Sequence, residues 1–179
     1  QEELRRSGHD GGLWQQYAEG LTDEKAVREF FRRRQSSTGA GSTFKVTSVI
    51  KVVNKPALER FRSAGGFSIK PKNATDLNAD TFLFHGAANK SVANIQSEGL
   101  SMKFAGPGML GAGLYGAPDP RKSLQYSRKD GDPMNFMFIC RFNLSGKARH
   151  HQNVVFDECC IYDNAHVVVL WLLKVEEER

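Results

Sequence analysis

The feature that most constrains this chain is its ending. Three apolar, strand-like runs follow one another there, NFMFICRFNL from Asn135, ECCIYD from Glu158 and HVVVLWLLKV from His166, with no helical pattern between them. Strands joined without a crossover helix reverse direction, because a parallel pair needs a connection of about a dozen residues or more. A mostly antiparallel sheet is therefore expected, and because helical segments precede it the fold class is α+β. The last run is half the ~18 to 20 apolar residues that a membrane span requires, so it reads as a buried strand and no membrane partner is expected. With 179 residues, 40% of them hydrophobic and 25% charged, the chain can bury one real core as a single globular unit.

Upstream, residues 1–12 are polar and expected to fray. Thr22 is placed to cap a helix with Asp23 and Glu24 in its first turn and Val27, Phe30 and Phe31 at i, i+3, i+4, running to about Arg34. SSTGAGST (36–43) reads as a linker, FKVTSVIKVVN as a strand, and PALERFRSAG as a helix with Pro56 in its first turn. The turn-rich stretch 66–80 leads into the strand TFLFHG, followed by a helix over Lys90–Glu98 with Val92, Ile95 and Ala93 inward and Gly99 at its C-cap. Beyond the glycine-studded 104–116, a helix is expected over 119–126. The expected division is an N-terminal tail, helix and linker over 1–43 and one main domain over 44–179.

Two motifs invite and fail a stronger reading. GPGMLG (106–111) has the letters of the dinucleotide fingerprint, but no β-branched run precedes it and no helix follows to hold a pyrophosphate. The basic run FFRRRQ (30–35) and the formal charge of +5 allow attraction to nucleic acid, yet a solvated helix C-terminus explains them better. Cys140, Cys159 and Cys160 do not make a disulfide framework, which points to a reducing, intracellular setting, nuclear or cytoplasmic. Three glycosylation triplets, at Asn73, Asn89 and Asn143, weigh little against that, because Asn89 would open a helix. No metal is expected, since His150 and His151 lack a second ligand cluster. A start at Gln1 with no leader reads as a domain cut from a longer parent, whose other domains would be partners.

Three polar features sit beside the apolar strands. His85-Gly86 ends a strand, and the glycine opens its backbone to a flat ligand. GLYGAPDPRKSLQY offers Tyr115 at a strand end, Tyr126 one helix later and Ser123 nearly a turn before it, two aromatic faces and a hydroxyl that suit a planar amide. Glu158 opens a strand so apolar that its carboxylate is partly desolvated. Singly, each has an ordinary structural reading; together they suggest a site.

In this order the motifs resemble the catalytic domain of the poly(ADP-ribose) polymerases, the diphtheria-toxin-like ADP-ribosyltransferases. FKVTSVIKVVN with LERF, LFHG with IQSEGL, GMLGAGLYGAPDPRKSLQY, and ECCIYDNAHVVVLWLL carry the resemblance over about Phe44 to Val175. It implies two packed, mostly antiparallel sheets around an NAD cleft, with an N-terminal helix. It also implies a triad of His85, Tyr115 and Glu158. His85 would hold a ribose hydroxyl of NAD, the Gly86 backbone and Ser123 the nicotinamide amide, and Tyr115 and Tyr126 the ring. Glu158 would bind the ribose 2′-hydroxyl and stabilise positive charge at the anomeric carbon, as fixed carboxylates in dry clefts do. The implied activity is transfer of ADP-ribose from NAD to a macromolecular acceptor, a protein or the chain itself, with release of nicotinamide, in one unit or as polymer.

Two residues depart from the family pattern. Ala87 stands where many members carry Ser or Thr, and Gly116 where an aromatic usually follows the triad tyrosine, which is expected to widen the cleft or loosen Tyr115. The loop 145–157, which receives the acceptor in the family, is short and basic. Residues 1–43 are too few for the multi-helix subdomain that gates NAD in some members. The alternatives are an inactive interaction module, an NAD glycohydrolase, and a basic nucleic-acid binder.

Overall fold

The computed structural model describes residues 12–35, 42–66, 80–127, 135–145, 148–151 and 156–178. The expected fraying at 1–11, most of the linker at 36–41 and most of the turn-rich stretch at 67–79 lie outside them. The helices are α1 (Leu13–Tyr17), α2 (Glu24–Arg34), α3 (Lys55–Ser63), α4 (Asn89–Glu98) and α5 (Pro120–Ser127), and the strands β1 (Phe44–Lys51), β2 (Asp80–Ala87), β3 (Leu114–Gly116), β4 (Asn135–Asn143), β5 (Arg149–His151), β6 (Glu158–Ile161) and β7 (Val167–Glu177), the last four following one another after α5.

The strands form two sheets, β1-β7-β4-β2 and β3-β6-β5, with every ladder among the described residues antiparallel. A bridge between Phe84 and Ala117 joins them, each residue's N–H donating to the other's C=O at 2.9 Å. The fold is therefore α+β with two antiparallel sheets.

The larger sheet is covered on both faces, which explains why β4 and β7 read as continuous apolar runs instead of alternating with polar residues. Successive side chains go to opposite faces. Met137, Ile139, Val168, Leu170 and Leu173 thus join a core with α1, α2 and α3, while Phe138, Cys140, Phe142, Val169 and Leu172 join a second core with the smaller sheet. Trp171 breaks the alternation by sharing a core with Leu170. The register between β4 and β7 shifts at Ile139/Cys140, and such a bulge sends two consecutive residues to one side.

The N-terminal helices belong to the first core. Trp14 meets Trp171 edge-on with ring centroids 5.3 Å apart, and Tyr17 meets Phe61 at 5.0 Å. Buried polar groups tie them down: Trp171 Nε1 donates to the Leu21 carbonyl at 2.8 Å, and Arg141 Nη1 to the Tyr17 carbonyl at 2.9 Å.

Local expectations need three corrections. The cap of α2 is Asp23, whose carboxylate accepts from the Ala26 amide at 2.8 Å, and not Thr22. Ala93 is exposed, because α4 lies at the surface with Val92 and Ile95 alone among its apolar residues packed on the core. The short α1 and β5 were not foreseen, being too brief to show a period. The other expected helices and strands are present where the structure describes them, with Pro56 in the first turn of α3 and Gly99 at φ 82° after α4; α3 is also capped by Asn54, whose side chain accepts from the Ala57 amide.

The basic run closes α2. Arg32 and Arg33 both bond Glu29 and hold its carboxyl down to about 2, and Arg34 lies over the Phe30 ring at 4.7 Å. All three cysteines are free and buried, and burial pushes their thiols up, Cys159 to about 12, so they pack as hydrophobes and are poor nucleophiles. Asn143 is 5% exposed and accepts from the Ser145 amide and hydroxyl, so its glycosylation triplet is inaccessible.

Candidate functional site

The junction between the sheets opens into a cleft of about 790 Å³, lined by the end of β2, one side of α4, the glycine-rich 99–108 segment, β3 and Tyr126. That volume lies within the range of about 300 to 1,000 Å³ typical of ligand pockets.

His85 and Gly86 stand at its floor. His85 Nδ1 lies 2.7 Å from the Tyr115 carbonyl, which can only accept, so Nδ1 carries the proton. Burial lowers the imidazole pKa, and the Tyr115 carbonyl opposes that shift in part. The neutral ring therefore keeps an accepting lone pair on Nε2.

Gly86 has a packing reason as well as the one read from the sequence. A Cβ there would stand 1.8 Å from the Ser123 carbonyl oxygen, so glycine lets α5 lie directly on β2. Its backbone is also free of the ladder. Phe84 directs both its N–H and its C=O to Ala117, away from β4, and alternation along an antiparallel strand points those of Gly86 the same way.

Ser123 is buried on α5 and donates its hydroxyl to the Phe84 carbonyl at 2.8 Å, which leaves the oxygen's lone pairs as acceptors. Tyr115 spends its hydroxyl on the neighbouring loop, accepting from the Leu110 amide at 2.8 Å and donating to the Gly111 carbonyl at 2.6 Å. Tyr115 itself lines the cleft. Burial raises the phenols of Tyr115 and Tyr126, and the Glu158 carboxylate raises Tyr126 further, so both stay protonated at neutral pH.

Glu158 is 4% exposed and stands behind Tyr126, outside the cleft lining. The Tyr126 hydroxyl donates to Glu158 Oε2 at 2.9 Å. The structure thus gathers His85, Gly86, Tyr115 and Tyr126 on the cleft wall, with Glu158 one hydrogen bond behind Tyr126, while Ser123 is bonded to the Phe84 carbonyl outside the cleft lining.

Gly116 does not widen the site. A side chain there would meet Phe142 at 2.8 Å and Leu83 at 2.9 Å, so it would point into the second core, and the Phe142 ring already fills that space. Tyr115 is not loosened either, given its two hydroxyl bonds. Ala87 is buried and packs on the second core.

The sequence reading missed several residues here. Lys90, Ser91, Asn94 and Phe104 line the far half of the cleft. The first three share one side of a helix that buries no residue fully, a signal its polar composition carried. Tyr162, whose hydroxyl donates to the Leu110 carbonyl, and Asn164, whose Oδ1 accepts from the Met102 amide at 2.6 Å, pin the glycine-rich loop at both ends. The fingerprint letters in that loop run into β3 and not a helix.

These features define an α+β domain with a cleft between two antiparallel sheets, floored by a histidine-glycine strand end. The family model of the poly(ADP-ribose) polymerase (PARP) catalytic domain matches residues 22–153, most of the chain, and the chain belongs to that family. Its members are ADP-ribosyltransferases that use NAD as substrate. The matched stretch contains His85, Gly86, Tyr115, Ser123 and Tyr126 and ends before Glu158. No curated protein matches the chain.

Proposed function

We propose that this domain transfers ADP-ribose from NAD to a protein acceptor, with His85, Tyr115 and Glu158 as its triad. The observation that carries the reading is the Tyr126–Glu158 hydrogen bond, which brings a buried carboxylate on the smaller sheet to the aromatic wall of a cleft floored by the larger one. The donor and acceptor set fits NAD. The Gly86 N–H and C=O and the Ser123 lone pairs match the oxygen and amide protons of nicotinamide, and the Tyr115 and Tyr126 rings offer it two faces. Neutral His85 accepts from a ribose hydroxyl through Nε2.

Bound NAD would supply a glycosidic bond whose electron pair leaves with nicotinamide as positive charge grows on the ribose carbon. Glu158, buried behind Tyr126, is the carboxylate that stabilises that charge from a dry site, where preorganised groups act far more strongly than in water. An acceptor nucleophile then bonds to the ribose carbon and loses its proton. His85, Gly86 and Ser123 orient the substrate and take no part in bond making.

The test is incubation of the domain with labelled NAD, following free nicotinamide and label on protein, beside Glu158→Gln. Both products are expected from the wild type, with both falling by about 100-fold or more in the variant. Release without labelling would make the domain a glycohydrolase. Neither product, together with no thermal protection by NAD, would leave an interaction module.

A further inference from the structure

A carboxylate that stabilises developing charge must be held to a fraction of an ångström, yet β6 begins at Glu158 itself and gives it little strand to lean on. The described residues just before it, Phe156 and Asp157, have no ladder partner. What meets Phe156 is α5. Arg121 lies over the Phe156 ring at 5.3 Å, and Arg121 is itself fixed by Asp119, which accepts from Nη2 at 2.9 Å, from Nε at 3.2 Å and from the Arg121 amide at 3.0 Å. Both members of this pair are 8% exposed. A planar guanidinium gripped by a carboxylate fork and laid on an aromatic face has one orientation to offer.

We infer that Arg121 is a positioning residue for Glu158. It acts through Phe156, fixing the entry to β6 while Tyr126 fixes the carboxylate itself. The two hold points lie about 7.5 Å apart along one rigid helix, given a rise of about 1.5 Å per residue. Between them Ser123 binds β2, so α5 sets the distance from the amide-binding floor to the carboxylate. The inference rests on the role proposed above for Glu158. The acid's geometry is thereby governed by a buried side chain that touches no substrate.

The experiment compares wild type, Arg121→Met, Arg121→Lys, Phe156→Leu, Phe156→Tyr and the Arg121→Met/Phe156→Leu double variant, each checked for cooperative melting. Nicotinamide release from NAD is read as kcat and KM, and 3-fluorotyrosine at position 126 reports the Tyr126–Glu158 bond by fluorine NMR. Expected is a fall in kcat of about 10- to 100-fold in Arg121→Met and in Phe156→Leu, with KM within about threefold, as misplacement of a reacting group predicts. The double variant should be no worse than the worse single one, as expected for two residues acting as a unit. Phe156→Tyr keeps the ring and should retain activity, whereas Arg121→Lys lacks the planar fork and should not. The fluorine resonance in both loss variants should move towards that of Glu158→Ala. Unchanged kcat with an unmoved resonance overturns the inference, as does a loss that appears only in KM. Should the wild type release no nicotinamide, the transferase reading fails, and the fluorine shift alone decides whether Arg121 positions Glu158. Should Arg121→Met not fold, the Phe156 pair decides.

Discussion

The Tyr126 hydroxyl occupies Oε2 of Glu158 while its ring lines the cleft, so one side chain carries two separable roles. Tyr126→Phe keeps the face and loses the bond. A hydrogen bond to a charged group is worth about 1.5 to 3 kcal/mol, so kcat for nicotinamide release is expected to fall roughly 10- to 100-fold with KM little changed. A rise in KM at constant kcat would mean that the hydroxyl serves only ground-state binding. His85 gives a second prediction. Burial holds its folded pKa below the unfolded value of 6.5, so the unfolded chain takes up the proton first as pH falls. The stability contributed by neutral His85 is complete above that value and is lost as pH drops through it towards the folded pKa. Melting temperature should decline on acidification across this window, and less steeply in His85→Gln; parallel profiles would remove His85 as the cause.

Among elements, α5 decides most. Its backbone lies on Gly86, its Ser123 on Phe84 and its Tyr126 on Glu158, so it joins the two sheets at the place where chemistry is proposed. β3 makes the complementary argument. Its Gly116 leaves room for the Phe142 ring from β4, an exchange of bulk between strands that no local pattern announces. Gly116→Phe, which restores an aromatic, should overpack the second core and lower stability by about 1 to 3 kcal/mol in urea unfolding. Tighter NAD binding without a loss of stability would show instead that the glycine does open the cleft. Strands and helices of ordinary length were legible in the sequence because each repeats its period several times. α1 and β5 were not, because five and three residues show no period.

At the scale of the molecule, the first core extends beyond the stretch that the family model matches. The match begins at residue 22, yet Leu13, Trp14 and Tyr17 are buried against β7 and α3. Trp14→Ala should cost about 3 to 5 kcal/mol, the usual price of a large buried aromatic, measured by urea denaturation. A cost under about 1 kcal/mol would mean that α1 is only loosely seated. The densest basic run, Arg32 to Arg34, is partly neutralised by Glu29.

The α+β class, most of the strands and helices, and the identities of His85, Tyr115 and Glu158 as candidates were determined by the sequence alone. Periodicity and motif order are properties of neighbouring residues, which a linear reading can reach. Tertiary structure decided what depends on residues far apart in the chain. It assigned Gly86 to the packing of α5, filled the space beside Gly116 with Phe142, spent the Tyr115 hydroxyl on the glycine-rich loop and set Tyr126 against Glu158, 32 positions away. A hydrogen bond or a packing contact needs atoms within a few ångströms, and only the folding of the two sheets onto one another brings those atoms that close.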